Sequence, residues 1–382
     1  MANSEGADVM LVAGEASGDL HAANLVKALR ELRPEVRCYG MGAGRMRAAG
    51  VDILVDSGRL AVVGIVEVLA HYREIKAALR KLQDIIETRR PDLLILIDYP
   101  EFNLRLAATA KKAGVKVLYY VSPQVWAWRP GRVKKIGGLV DMMAVVFAFE
   151  VPFYEKANVP VRFVGHPLAD EASPTMSRGE ALDRFGLKSD AKIIGLFPGS
   201  RRSEIARLMP ALLETARLLR DRFPAAQFVL PVAPGLDRSM IESYVDDSAP
   251  PINILENQSI YDVTLVCDAI ITASGTATLQ IALMGTPMVI IYKVSWLSYW
   301  IARRLVTVKH IGLANIVAGK AIVREFVQND VQPKSISDEI ERLLTDQAYA
   351  ENMRRELGGI VKTLGEGGGS RKTAQLALEI ID

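Results

Sequence analysis

The sequence predicts two α/β domains, each built on a doubly wound parallel sheet. Short apolar runs alternate with stretches that carry apolar residues at helical spacing, and this alternation occurs once in each half of the chain. Strands that alternate with helices pair in parallel and are covered by helices on both faces. A Pro-rich, polar connection at residues 165–174 separates the two sets, and 382 residues fit two compact domains better than one.

The first half begins with an apolar run that ends at Gly14 and is followed by a helical pattern. A second helical pattern, which includes residues 75–86, stops at Pro91, and a continuous apolar run follows it. Asn103 is expected to cap the next helix, which Gly114 ends. These signals predict strands at residues 9–13, 93–97 and 115–121, and a first helix at residues 20–32.

The same alternation recurs in the second half, and the chain ends with a glycine-rich segment and one more helix. The predicted strands span residues 192–197, 227–231, 268–273 and 288–292, and the predicted helices span residues 204–222, 276–284 and 374–381. The segment at residues 365–370 is rich in glycine and allows the last helix to return to the first domain or to pack on another subunit. The predicted domains are residues 1–168, residues 175–363, and a hinge and helix at residues 364–382.

The composition is that of a folded chain and excludes several classes of protein. Half of the residues are hydrophobic and 24% are charged, which excludes disorder, collagen and coiled-coil arrays. Lys and Arg number 47 against 44 Asp and Glu, and the resulting net charge of +3 argues against broad nucleic-acid binding. Cys38 and Cys267 are too few for a metal cluster, and we expect two buried thiols in a reducing compartment.

The sequence carries no membrane or export signal that we can identify. The N-terminus lacks a basic segment followed by an apolar one, so no signal peptide is predicted and the chain is expected in the cytoplasm. Residues 269–292 are uncharged, but polar residues, Gly285 and Pro287 break them into strand, turn, helix, turn and strand. Any contact with a membrane is therefore expected to come from the surface of the fold.

The loop after the first predicted strand carries the first candidate site residues, Glu15 and Ser17. Its glycines permit a tight turn into the helix, but the G-x-G-x-x-G spacing of a dinucleotide site is missing, which disfavours a nicotinamide enzyme. Glu15 and Ser17 are candidates for substrate contact. The alternative is that Glu15 or Asp19 stabilises the N-terminus of the following helix.

Asp98 is the candidate general base, because it follows directly after the apolar run at residues 93–97. The Tyr99-Pro100 pair that comes next prevents the strand from continuing. A carboxylate fixed at the carboxyl end of a strand is positioned to accept a proton from a hydroxyl. The alternative is an Asp that only forms the turn.

Two glycine turns in the second half predict a diphosphate site. Gly199, Ser200 and Arg201 follow one predicted strand, where a glycine turn exposes backbone N–H groups and an arginine can bind a phosphate with two donors. The segment from Ser274 through Gly275 to Thr276 follows another strand and opens a helix, whose positive end also favours an anion. Either turn alone is a weak signal, but two in one domain favour a diphosphate.

Two apolar segments are candidates for a membrane-facing surface. The first is a dense aliphatic cluster, and the second joins tryptophans to adjacent cations, which is typical of an interfacial helix. Packing into the core or into a subunit interface is the alternative for both. The candidate residues are Val62, Val63, Ile65, Val66, Val68, Leu69, Trp296, Trp300, Arg303 and Arg304.

Six motifs, taken together, resemble the lipid-A-disaccharide synthase family over about residues 9–328. The tryptophan motif and the Asp-x-Pro-x-Phe-Asn motif are the most specific of them. The motifs are Gly14-Glu15-Ala16-Ser17-Gly18-Asp19, Asp98-x-Pro-x-Phe-Asn, Trp126-Ala127-Trp128-Arg129, Gly165-His166-Pro167, Pro198-Gly199-Ser200-Arg201 and Ser274-Gly275-Thr276-Ala277.

This resemblance implies a GT-B glycosyltransferase, with two Rossmann-like domains facing across a cleft, on the cytoplasmic face of the inner membrane. The family joins UDP-2,3-diacylglucosamine to 2,3-diacylglucosamine 1-phosphate (lipid X) by a β-1,6 bond with inversion and releases UDP. It needs no metal or cofactor, and no nucleic acid is implied. By resemblance Asp98 is the general base and Glu15 and Ser17 line the same cleft. The UDP side comprises Ser200, Arg201, Ser274, Gly275, Thr276 and Asn315.

Two positions depart from the family pattern. Gln280 stands where the family commonly has a Glu that binds the ribose hydroxyls, so this contact is expected to be weaker without the charge. Ala314 replaces the usual Pro before Asn315, which is expected to loosen that loop. Two alternative functions are a UDP-sugar 2-epimerase, which uses a similar scaffold, and a peripheral lipid-binding protein without catalysis. A homodimer formed by exchange of the last helix is the alternative to a last helix that returns to its own first domain, and the sequence does not decide between them.

Overall fold

The computed structural model describes residues 6–59, 72–123, 131–296, 299–300, 309–365 and 367–382. The chain divides into two compact units. Unit 1 comprises Met1–Asp170 with Leu364–Asp382, and unit 2 comprises Glu171–Thr363. The last helix therefore belongs to the same unit as the start of the chain.

Strands and helices alternate along the described residues. The strands are β1 (Asp8–Ala13), β2 (Arg37–Gly42), β3 (Asp52–Asp56), β4 (Leu93–Ile97), β5 (Lys116–Tyr120), β6 (Met142–Val145), β7 (Val161–Phe163), β8 (Ile193–Phe197), β9 (Gln227–Pro231), β10 (Ile252–Leu255), β11 (Ala269–Ala273), β12 (Met288–Tyr292) and β13 (Glu325–Val327). The helices are α1 (Ala16–Leu32), α2 (Gly44–Ala48), α3 (Tyr72–Arg89), α4 (Pro100–Ala113), α5 (Arg132–Gly137), α6 (Val151–Glu155), α7 (Leu168–Glu171), α8 (Arg178–Phe185), α9 (Arg202–Arg222), α10 (Arg238–Glu242), α11 (Ile260–Val266), α12 (Ala277–Leu283), α13 (Leu313–Ala318), α14 (Pro333–Thr345), α15 (Gln347–Leu364) and α16 (Gly369–Ile381).

Unit 1 is built on a parallel sheet whose described strands lie in the order β3-β2-β1-β4-β5-β6-β7. The central strand β4 pairs with β1 on one side and with β5 on the other. All five of its residues are completely buried, because the sheet is covered on both faces. Helix α16 packs against α1 within this unit. Among the described residues, the ion pairs Glu31–Arg371 and Arg162–Glu379 join α16 to the rest of unit 1, and Arg33 pairs with Asp382, the residue that follows α16.

Unit 2 repeats the architecture with a parallel sheet whose described strands lie in the order β10-β9-β8-β11-β12-β13. Strand β8 pairs with β9 and β11, so it lies at the centre of the sheet. Helix α9 packs against α14, and the α14 residues Ile336 and Ile340 are completely buried. Both units are therefore doubly wound parallel sheets, as the alternation in the sequence predicts.

Two local predictions are wrong. Asn103 does not cap α4, because the helix begins at Pro100 with Tyr99 as its N-cap and Asn103 lies inside it. The connection at residues 165–174 is not entirely a linker, since His166 is 8% exposed and its backbone N–H donates to the Leu364 carbonyl within unit 1. The predicted strands and helices otherwise recur with ends shifted by a few residues.

Both cysteines are buried and unpaired, as expected. Burial raises the pKa of Cys38 to about 11 and raises the pKa of Cys267 further. No helix within the described ranges combines the length and the apolar character needed to cross a membrane. The aliphatic cluster at residues 62–69 and the cations Arg303 and Arg304 lie outside the described residues.

Candidate active site

Each sheet has one point at which the strand order reverses. This point lies between β1 and β4 in unit 1, and between β8 and β11 in unit 2. Doubly wound sheets bind ligands there, outside the carboxyl ends of the strands. Glu15 and Asp98 follow the two strands of unit 1, whereas the turns at Gly199 and Gly275 follow those of unit 2. The predicted residues thus fall into two groups, one in each unit.

Asp98 lies in a backbone conformation that the surrounding residues hold in place. Asp98 has φ 48° and Tyr99 has φ 46°, and both values fall in the left-handed region that favours glycine. The Asn103 side chain donates from Nδ2 to the carbonyl oxygens of Ile97 at 3.2 Å and of Asp98 at 2.7 Å. Tyr119 Oη donates to the same Asp98 carbonyl at 2.6 Å. The strained turn is therefore fixed by hydrogen bonds from the Asn103 and Tyr119 side chains.

The carboxyl group of Asp98 has an unusually high pKa. Burial is the main cause, the negative charge of Glu15 adds to it, and a hydrogen bond from the Tyr99 backbone N–H opposes both. The resulting pKa is about 6. Above that pH the group is a carboxylate of raised basicity, which is the property a general base requires.

Gly14 and Tyr99 bring the two loops of this site together. A Cβ atom added at Gly14 would lie 2.4 Å from the Tyr99 ring, so only glycine permits this packing. The loop that carries Glu15 therefore lies against the loop that carries Asp98. Glu15 is exposed at the N-cap position of α1, and its side chain makes no capping hydrogen bond.

The other two polar residues of the first loop have different surroundings. Ser17 is exposed in the first turn of α1. Asp19 is 4% exposed, and its carboxylate accepts hydrogen bonds from the backbone N–H groups of Ala43, Arg45 and Met46. Asp19 therefore stabilises the start of α2 rather than the start of its own helix. Of the candidates Glu15 and Ser17, only Glu15 shifts the pKa of Asp98.

Two neutral histidines near this edge were not predicted from the sequence. Burial lowers the pKa of His21 to about 4, and burial together with the charge of His21 lowers the pKa of His166 to about 3. His166 Nδ1 accepts a hydrogen bond from the Leu168 backbone N–H at 3.1 Å, so Nε2 carries the proton. The ring centroid of His21 lies 6.4 Å from that of Tyr120, the last residue of β5. For His166 the available signal is the Gly165-His166-Pro167 motif of the family resemblance, but its place in the Pro-rich connection predicts a linker and not a buried ring.

Unit 2 forms a cavity of about 500 Å³ at its own reversal point. Both glycine turns and Gln280 line it, so the structure brings the predicted phosphate residues together. Gly199 has φ 105°, and a Cβ atom there would lie 2.5 Å from Glu204 Oε2. The predicted lining residues are Gly199, Ser200, Arg201, Ser274, Gly275, Thr276 and Gln280.

The polar groups of this cavity are suited to an anion. Arg201 is the N-cap residue of the 21-residue helix α9, whose first backbone N–H groups lack partners within the helix. Its guanidinium is exposed and forms no ion pair with the described residues. Gln280 is half-buried, and its Nε2 lies 3.5 Å from Tyr261 Oη. An amide at this position offers one acceptor and no charge.

Asn315 lies outside the cavity wall. It is completely buried, and its Nδ2 donates to the Val323 carbonyl and to Glu325 Oε1. Its Oδ1 accepts from the backbone N–H groups of Ile322 and Val323. Every hydrogen-bonding position of this amide is thus used internally, and the assignment of Asn315 to the UDP side stays a prediction.

Asn315 nevertheless lies in the network that holds the loop beside Ser274. Glu325 accepts hydrogen bonds from the backbone N–H groups of Ile311 and Gly312 at 2.9 Å each. Ser274 Oγ donates to the Ile311 carbonyl at 3.0 Å. Asn315 therefore orders the loop that meets the second glycine turn.

The cavity also contains residues that the sequence did not single out. A proline-bounded segment at residues 231–234 begins at the last residue of β9, and Gln258 and Ser259 precede α11. Ser259 Oγ accepts the Tyr261 backbone N–H and caps α11. Pro231 and Pro234 are the sequence signal that could have marked the turn after β9 as part of this cavity. No local signal marks Gln258, because its position depends on tertiary packing.

Two tryptophans of the proposed membrane surface are described, and both are exposed. Trp296 is 74% exposed and Trp300 is 47% exposed. Such exposure is unusual for large aromatic side chains, which are normally well buried.

Comparisons with known proteins place the chain in one family. A family profile described as lipid-A-disaccharide synthetase matches residues 9–380. The chain is 57% identical to the lipid-A-disaccharide synthase of Geobacter metallireducens over 373 residues, which cover 98% of this chain and 97% of that protein.

Solved structures share the fold at low sequence identity. A UDP-GlcNAc 2-epimerase from Neisseria meningitidis, bound to UDP-GlcNAc, matches with a TM-score of 0.65 at 13% identity, covering 97% of this chain and 100% of that chain. The glycosyltransferase of kitacinnamycin matches with a TM-score of 0.66 at 17% identity, covering 99% and 100%. These likenesses show the GT-B fold alone and do not favour an epimerase or a non-catalytic binder. With the match to the profile and the close relative, they show that the chain belongs to the lipid-A-disaccharide synthase family, the glycosyltransferases of lipid A biosynthesis.

Proposed function

We propose that the enzyme joins UDP-2,3-diacylglucosamine to 2,3-diacylglucosamine 1-phosphate by a β-1,6 bond, with inversion and release of UDP. The observation that carries the proposal is the Asp98 carboxyl group, whose pKa of about 6 is raised at the reversal point of a sheet. We assign the lipid acceptor to unit 1, which holds Asp98, and the UDP-sugar to unit 2, which holds the glycine turns.

In the acceptor half, Asp98 removes the proton of the 6-hydroxyl group as the oxygen attacks the anomeric carbon of the donor. The strained backbone at Asp98 and Tyr99 and the hydrogen bonds from Asn103 and Tyr119 fix the position of the carboxylate. Glu15 increases its basicity through the repulsion of like charges. We assign Ser17 to acceptor contact, since it is exposed in the same loop.

In the donor half, the leaving group is the UDP diphosphate, on which negative charge grows as the glycosidic bond breaks. Arg201 and the first backbone N–H groups of α9 supply donors and positive charge for it. The turn from Ser274 through Gly275 to Thr276 supplies a second set of donors in the same cavity. Gln280 contacts the ribose through one amide acceptor, and Asn315 orders the neighbouring loop from within the fold.

We further propose that the enzyme acts at the cytoplasmic face of the inner membrane as a peripheral protein. Its substrates carry acyl chains, and the exposed Trp296 and Trp300 are suited to the membrane interface. The aliphatic residues at positions 62–69 and the cations Arg303 and Arg304, which lie outside the described residues, are further candidates for membrane contact. A homodimer in which α16 is exchanged between chains is the proposed assembly.

Replacement of Asp98 by Asn tests the catalytic proposal. The loss of a general base lowers the rate by about 10²–10⁴-fold. We expect kcat of Asp98→Asn to fall by about that factor while the affinity for UDP stays unchanged, because the UDP residues lie in unit 2. Turnover is measured as disaccharide formed from the two lipid substrates.

Asp92→Asn is the matched control, since Asp92 is exposed before the amino end of the same strand, β4. A kcat of Asp98→Asn close to that of the wild type would remove Asp98 from the role of base. Release of UDP without the acceptor would instead indicate a hydrolase, and conversion of the UDP-sugar into its 2-epimer would indicate an epimerase.

A further inference from the structure

A second cavity lies beside Asp98 within unit 1, and none of the predicted site residues accounts for it. It has a volume of about 530 Å³ and is formed by α3, α4 and the turn that precedes α4. This volume is in the range of small-molecule sites. The lining residues are Ile75, Lys76, Leu79, Arg80, Gln83, Tyr99, Pro100, Glu101, Phe102 and Arg105.

One part of the wall is apolar. The rings of Tyr99 and Phe102 lie with their centroids 5.3 Å apart, and Phe102 is 5% exposed. Leu79 and Ile75 extend this wall along α3, one helical turn apart. Tyr99 follows directly after Asp98, so this wall begins in the turn that carries the proposed base.

Another part of the wall is cationic. Lys76 and Arg80 are four residues apart and therefore lie on the same face of α3, and Arg105 lies on α4. All three side chains are exposed, and none forms an ion pair with the described residues. Glu101, the one carboxylate among the lining residues, is paired with Arg132 Nη2. Within the described part of the chain, the cavity thus keeps three positive charges without a carboxylate partner beside an apolar wall.

This combination fits an anionic amphiphile. Exposed cations that lack a carboxylate partner favour a phosphate, and an aliphatic and aromatic wall favours an acyl chain. The diphosphate of the donor already has a cavity with two glycine turns in unit 2. The remaining phosphate in the proposed reaction is the 1-phosphate of the acceptor.

We propose that Lys76, Arg80 and Arg105 bind the 1-phosphate of the acceptor lipid while the Leu79 and Phe102 wall contacts one of its acyl chains. This proposal rests on the proposed function, because it presumes that the acceptor reaches Asp98 in unit 1. It assigns the three cations to recognition of the acceptor and not to catalysis.

The test pairs charge removal in the protein with phosphate removal in the ligand. The triple variant Lys76→Gln, Arg80→Gln, Arg105→Gln is titrated in neutral detergent micelles with lipid X and with 2,3-diacylglucosamine, which lacks the phosphate. We expect the Kd of the variant for lipid X to rise at least about tenfold, since hydrogen bonds between charged groups are the strong ones. The Kd for the phosphate-free lipid is expected to stay within about twofold, and so is the Kd for UDP.

Lys112→Gln is the matched control, because Lys112 is an exposed cation on α4 outside the cavity. An equal rise for both lipids, or no rise for either, would overturn the proposal. The proposal would also be overturned if the triple variant lost binding only to phosphatidylglycerol vesicles and not to lipid X in neutral micelles. The cations would then bind membrane headgroups. If the wild type binds lipid X but forms no disaccharide from it, the proposed function fails while the subsite stands.

Discussion

Asp98 combines backbone strain with a carboxyl group whose pKa is raised, and each needs support from its neighbours. A non-glycine residue in the left-handed region costs on the order of 1–3 kcal/mol. Two such residues in succession, Asp98 and Tyr99, persist because Asn103 and Tyr119 bind the Asp98 carbonyl and Pro100 starts α4. The strain is thus held by two hydrogen bonds to the Asp98 carbonyl and by the start of α4.

The pH dependence of turnover should reveal the interaction between Glu15 and Asp98. The negative charge of Glu15 raises the pKa of Asp98, so Glu15→Gln is expected to lower that pKa from about 6 toward the ordinary value of 3.8. The base is active when deprotonated, and kcat/KM of the variant should therefore fall at a lower pH than that of the wild type. Because burial is the larger cause, part of the elevation should remain.

The measurement is kcat/KM for the acceptor between about pH 4.5 and 8, with Glu87→Gln as a control on the exposed face of α3. An acid limb at the same pH in Glu15→Gln and in the wild type would mean that Glu15 does not act on the base.

The role of a single residue can be predicted where a local sequence pattern determines it. It cannot be predicted where contacts between distant parts of the chain determine it. The sequence marks Asp98, because a buried apolar strand ends directly before it. It predicts Asn103 as a helix cap, since it does not reveal that the strained turn needs a donor from inside the helix. It predicts His166 as part of a linker, because the burial of His166 depends on Leu364, which is 198 positions away.

At the scale of elements, the strand order decides which loops meet. The sequence predicts the alternation of strands and helices in both units. Because ligands of such sheets bind at the carboxyl ends of strands, the alternation also predicts which loops carry the site. It does not show that α3 and α4 leave a cavity between them, because Lys76 and Arg105 belong to separate helices. It also does not show that the Asn315 amide is fully used inside the fold.

The segment with Trp296 and Trp300 should contribute to membrane binding. Both side chains are exposed, and indole rings partition into the interface of a bilayer. We expect Trp296→Ser together with Trp300→Ser to lower co-sedimentation with phosphatidylglycerol vesicles severalfold without lowering Tm. Phe153→Ser is the control, since Phe153 is a 41% exposed aromatic residue in unit 1. Equal sedimentation of the double variant and the wild type would exclude this segment from the membrane surface.

At the scale of the whole molecule, the chain passes from unit 1 to unit 2 and returns with its last helix. Gly365, Gly367 and Gly368 all have positive φ, at 97°, 83° and 73°, in the connection before α16. These conformations favour glycine and set the direction in which α16 leaves α15. In the single chain described, α16 lies on its own α1.

The proposed exchange of α16 between two chains would preserve every one of its contacts, because a partner presents the same α1 surface. Glu31 and Arg371 form an ion pair across this interface and are 66% and 60% exposed, so cysteines placed there are accessible. In the variant Glu31→Cys, Arg371→Cys, a short bismaleimide should join two chains if α16 is exchanged, and the product should run as a dimer under denaturing conditions. Each single-cysteine variant controls for random coupling, and the native Cys38 and Cys267 are buried. A product that runs as a monomer, with the link formed within one chain, would rule out the exchange and show that the helix closes unit 1 from the same chain.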